Sequence, residues 1–166
     1  MRLTTVASLA ALAVLGACHK SSAPPLVAPA AELQVAVRAV EPSAILLSDN
    51  SRAFADSARR VIRDTVEWKQ IWTQATRLQP TPPARPVIDF SKEVVILAAA
   101  GQLRPGDAIH VDSMGYSRKL AVIVIRTTTG CQNIPATVYP FELAKVPRFD
   151  GDPAFREQKA KAPDCQ

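Results

Sequence analysis

Val94-Val95-Ile96-Leu97-Ala98-Ala99-Ala100 is the stretch that decides the fold. Seven uncharged apolar residues stand in a row, closed by Gly101. The run is too short for a typical buried helix and rich in β-branched residues, so it predicts a strand. It is apolar at both odd and even positions. Side chains of a strand alternate between faces, so both faces of this strand must be covered. It is therefore expected to be a central strand.

Working outward, the segment before it carries the clearest helix. Asp64 can cap, and Glu67 follows three residues on, the spacing of a capping box. Val66, Trp68, Ile71, Trp72 and Ala75 then fall at helical spacing on one apolar face. Lys69, Gln70 and Gln74 take the wet side. Trp68 and Trp72 are four apart and share a stripe. The helix must end before Pro80, Pro82, Pro83 and Pro86, which cannot continue it. Asp89 before Phe90 reads as a helix or turn cap. Further upstream, Leu33, Val35 and Val37 alternate with polar or small residues as in a half-buried strand, interrupted by Pro42. Ala44–Leu47 and Arg59–Arg63 predict two more short strands.

Downstream the chain reads as strand. Ile109 and Val111 alternate with His110 and Asp112, and a turn is expected over Met114–Arg118. Leu120, Val122 and Val124 mark another buried strand. A last strand is expected over 136–146, with Pro140 placing it at an edge or a bulge. The polar tail 148–166 carries one helix signal near 154–160. One helix with several turn-linked strands predicts an α+β domain over residues 33–166. It would hold a mostly antiparallel sheet with the amphipathic helix packed on one face.

The N-terminus predicts the location. Arg2 precedes an uncharged run from Leu3 to Ala17, short of the roughly 20 residues a membrane helix needs. The run closes on Leu15-Gly16-Ala17-Cys18, which resembles a bacterial lipobox. Residues 1–17 then read as a signal peptide and Cys18 as the lipidated first residue of the mature protein. Two or three acyl chains there would anchor the protein stably in the membrane. Residues 18–32, rich in Pro, Ala and Ser, read as a tether. His19, where inner-membrane lipoproteins commonly carry Asp, leans towards the outer membrane of a Gram-negative cell envelope. Of the three cysteines, lipidation uses Cys18 and leaves Cys131 and Cys165 as the one intramolecular pair available in an oxidising compartment.

The chain carries 20 Lys and Arg against 15 Asp and Glu, a modest and scattered excess that argues against nucleic acid as a partner. Neither a dinucleotide fingerprint, a phosphate loop nor a nucleophile elbow is present. The cysteines and histidines do not have metal-ligand spacing, and no cofactor is expected. His110 and Asp112 on one strand face could orient a base, with Cys131, Ser113 or Ser117 as nucleophile, but nothing fixes that geometry. The turn Leu103-Arg104-Pro105-Gly106-Asp107 sets Arg104, Pro105, Gly106 and Asp107 between two buried strands as a candidate binding loop.

From Glu67 to Pro147 the chain resembles the C-terminal domain of the PrcB lipoproteins, subunits of a surface protease complex. The matching residues are Glu67-Trp68 with Trp72, Val87-Ile88-Asp89-Phe90, Val94–Ala100, the turn from Gly101 to Gly106, Ala108–Val111 and Tyr139-Pro140-Phe141-Glu142-Leu143. Where that family runs Thr-Gly-Gly-Tyr, this chain has Arg104-Pro105-Gly106-Asp107. The resemblance implies a non-catalytic partner that stabilises or assembles a protease; another envelope protein is the other partner considered. The reading is therefore a lipid-anchored, non-enzymatic binding or assembly module. The alternatives are a loop-mediated protease inhibitor and an enzyme of unknown class.

Overall fold

A computed structural model describes residues 36–116, 120–132 and 134–165. The signal peptide, Cys18, the tether and Leu33 to Val35 lie outside the described residues. The elements run β1 (Arg38–Ala39), β2 (Ile45–Asp49), β3 (Ser57–Ile62), α1 (Thr65–Thr76), β4 (Glu93–Ala100), β5 (Ala108–Tyr116), β6 (Leu120–Thr129), β7 (Phe141–Pro147) and β8 (Asp152–Lys161). The chain is mostly β, with one α-helix among the described residues. The described residues form two four-stranded sheets where one was expected. Sheet A has the order β1-β5-β6-β8 and sheet B the order β2-β7-β4-β3. All pairings are antiparallel except β6 with β8.

The two sheets explain why β4 is apolar on both faces. Val94, Ile96 and Ala98 join one buried cluster with Ile109, Val111 and Met114 of β5, Ala121, Ile123 and Ile125 of β6, and Ala144 and Val146 of β7. This cluster fills the space between the sheets. Val95, Leu97 and Ala99 point the other way. They share a second cluster with Phe141 and Leu143 of β7 and with Trp68, Ile71, Trp72 and Ala75 of α1. Strand alternation thus assigns each half of β4 to a different core. Full burial of a Val or Ile side chain contributes roughly 1.5–3 kcal/mol, so this strand ties the molecule together.

Helix α1 starts where its cap predicts. Asp64 Oδ1 accepts from the backbone N–H of Val66 at 2.8 Å and of Glu67 at 2.9 Å. Only half of the capping box forms, because the Glu67 carboxylate reaches Arg60 at 2.6 Å instead. Val66, expected on the apolar face, is 70% exposed; it stands in the first turn, clear of the buried stripe. The indole rings of Trp68 and Trp72 lie 5.2 Å apart. Their N–H groups donate to the carbonyls of Pro86 (3.0 Å) and Pro83 (3.2 Å), so the Pro-rich loop satisfies both buried indoles.

Other boundaries differ from expectation for physical reasons. Upstream of Pro42, the described strand is only Arg38–Ala39, and Val37 is exposed. The turn expected from Met114 does not form there, since β5 continues to Tyr116. Its register shifts between Val111 and Ser113, so Met114 still points inward after the break in alternation. Strand β7 is an inner strand, not an edge. Pro140 sits just ahead of it, outside the ladder, and its carbonyl accepts from Ala100 N at 3.0 Å. The helix signal near 154–160 is overturned. Those residues belong to β8, which pairs in parallel with β6 from Leu120↔Asp152 to Thr129↔Lys161.

Candidate functional site

Three places collect groups capable of chemistry or binding. The first is the turn after β4. Asp107 N donates to Arg104 O at 3.0 Å, Pro105 and Gly106 occupy the corner, and Gly106 has φ +87°. A turn of this kind needs a residue that tolerates positive φ at its third position, hence glycine. Asp107 is buried and faces inward. Its Oδ2 accepts from Arg104 N at 3.2 Å and its Oδ1 from Gly130 N at 2.9 Å. A Cβ on Gly130 would stand 2.6 Å from Gly106 O, so the two backbones touch where no side chain fits. Antiparallel bonds between Leu103 and Val138 hold the other side. In the candidate loop, then, Asp107 clamps the turn. Arg104 is the charged side chain it presents to solvent.

Gly130 leads into Cys131, whose Cα lies 5.3 Å from that of Cys165. The two form a disulfide, which ties the residue after β6 to the C-terminal turn beyond β8. This bond removes Cys131 as a nucleophile.

The second place is a buried carboxylate that sequence reasoning passed over. Glu142 on β7 points between the sheets, its side chain only 4% exposed. Its Oε1 accepts from Val111 N at 2.7 Å, and its Oε2 lies 3.1 Å from His110 Nδ1. Strand β1 pairs with β5 only at Ser113 and Met114, so Val111 N lies beyond its ladder. Glu142 serves as its acceptor. The expected His110–Asp112 relation does not form. Asp112 pairs with Arg126 at 2.7 Å, while His110 takes Glu142. A carboxylate that holds one imidazole nitrogen orients the ring, which is half of an acid–base arrangement. Ser113 is buried and Ser117 lies outside the described residues. A carboxylate alone inside the apolar run Phe141-Glu142-Leu143-Ala144 was the signal for this contact. Among the described residues, no group of three or more His, Cys, Asp or Glu is placed to hold a metal ion.

The third place is a cleft of about 330 Å³ where β1, β5 and β7 end. Val40, Ala44, Met114, Val146 and Pro147 make an apolar floor, with Tyr116 beside them. Arg38, Glu41 and Lys145 supply charge. Lys145 also pairs with Glu93 at 2.9 Å. Tyr116 is an exposed aromatic ring, and Arg38 is exposed as well. Apolar walls with a few charged groups at the rim suit an apolar side chain or a short extended segment of a partner. Sequence reading missed the cleft because its walls come from three strands far apart in the chain. Compared with known proteins, the chain matches no protein-family model, no curated protein and no solved structure.

Proposed function

We propose that this is a lipid-anchored, non-catalytic binding or assembly module of the bacterial cell envelope, acting on a protease or another envelope protein. The observation that carries it is the pairing of Cys131 with Cys165. The chain has three cysteines, so this pairing leaves Cys18, at the end of the lipobox-like stretch, as the odd one. A disulfide also fits an exported protein. The fold reading that goes with it is a single amphipathic helix laid by its apolar stripe on one sheet. The apolar cluster common to α1, β4 and β7 supports this. The cleft beside Tyr116 supplies a binding surface, and its strands give it a rigid frame.

The test has two arms. Cys18→Ser should abolish acylation, read by intact mass, and move the protein from the membrane fraction to the soluble one. An unaltered mass and fractionation would sink the anchor. Capture of an envelope partner by the wild-type domain should be lost with a Tyr116→Ala, Arg38→Glu double substitution. Undiminished capture would remove the cleft from the reading. A protease inhibitor is the second reading, because the clamped turn presents Arg104 on a preorganised backbone. It requires that Arg104→Ala relieve inhibition of a target protease while the melting temperature stays constant.

A further inference from the structure

Strand β8 is unlike every other long strand of the molecule. None of its ten residues is buried, whereas β6 beside it buries Ala121 to Ile125 without a break. Phe155 packs partway against the inter-sheet cluster, and Glu157 meets Arg59 at 2.8 Å. Its backbone ladder to β6 and its two ends also hold β8. The ends differ in kind. Ahead of it, Phe149 is buried and the Arg63 guanidinium holds the carbonyls of Phe149 and Gly151. After it, Ala162 N donates to Thr129 O at 3.0 Å, and Cys165 is bonded to Cys131. The first anchor is noncovalent and rooted in the core, and the second is a covalent bond at the surface.

We infer that β8 is a redox-controlled latch, closed by the Cys131–Cys165 disulfide and opened from its C-terminal end when that bond is reduced. Segments that bury little apolar surface open with less free energy than the fold as a whole. A covalent tie at the far end opposes such opening by limiting the freedom of the released strand. Opening stops at Gly151, because Phe149 stays buried and Arg63 holds the chain there. The reductant is a protein dithiol. One of its thiolates attacks a sulfur of the pair and forms a mixed disulfide. Its second thiol then resolves that intermediate. Two electrons and two protons pass to Cys131 and Cys165, and the reductant leaves as a disulfide. The released strand uncovers the backbone edge of β6.

The experiment is amide hydrogen exchange on the mature protein with and without dithiothreitol, repeated on the Cys131→Ser, Cys165→Ser double variant. The latch predicts that amides of Asp152–Lys161 exchange faster by on the order of 100-fold in both cases. Those of β4 and β7 should keep their protection. Two outcomes overturn it. Unchanged protection of β8 means the ladder alone holds the strand. Equal loss of protection in β4 and β7 means the disulfide staples the whole domain and has no local role.

Discussion

Two of the contacts by which charged side chains join sheet B to sheet A differ in how much water they keep. On one side Glu142 reaches from β7 to Val111 N and His110 of β5 with a side chain only 4% exposed. On the other, Arg59 of β3 reaches Glu157 of β8, with side chains 20% and 48% exposed. The formal chemistry is similar, a carboxylate meeting nitrogen donors. What separates them is what happens when one partner is removed. At the dry contact a buried donor loses its acceptor and nothing replaces it. At the wet contact water takes over.

The largest expected effect follows from this. Glu142→Ala should cost about 3 kcal/mol in urea-induced unfolding, since it strands Val111 N and leaves a cavity between the sheets. Glu142→Gln keeps an acceptor for Val111 N, and its cost should fall to about 1 kcal/mol. Equal losses for the two would mean that charge, and not hydrogen bonding, matters at this contact. Glu157→Ala is expected to cost less than about 1 kcal/mol. Molar salt should erase the difference from wild type, because exposed pairs are screened. A loss that survives salt would put the second contact in the same class as the first.

The smallest effect lies at Asp89, outside both contacts. The hydroxyl of Ser91 and then the ammonium of Lys92, each bonded to its carboxylate, hold its pKa below the ordinary value of 3.8. A lowered folded-state pKa adds stability above the unfolded-state value, and that stability is lost as pH falls through the folded value. Wild type and Asp89→Asn should therefore differ slightly in melting temperature near neutrality. The two should converge as pH falls through the lowered folded-state value. A gap that widens in acid would reverse the assignment.

How much of this was legible beforehand depends on where each signal resides. The central position of β4 was readable because both its faces speak in one short run. The cap at Asp64 was readable because helix starts are local. Strand β8 was not, because a polar edge strand carries no periodicity of its own; its place is set by β6, more than twenty residues earlier. Division into two sheets was also hidden, since alternation says that a face is covered and not by what. At the candidate sites the turn residues were visible. The inward role of Asp107 was not, because its partner Gly130 is distant in sequence. Glu142 could have been suspected as a lone charge in an apolar run.

The indole bonds to Pro83 and Pro86 have an optical consequence. The chain has two tryptophans, and both sit in the apolar cluster that α1 shares with β4 and β7. The cluster between the sheets contains none. Tryptophan fluorescence therefore watches one of the two cores and is blind to the other, whereas far-ultraviolet circular dichroism sees the strands of both. Coincident melting curves from these two signals would establish that the cores give way as one unit.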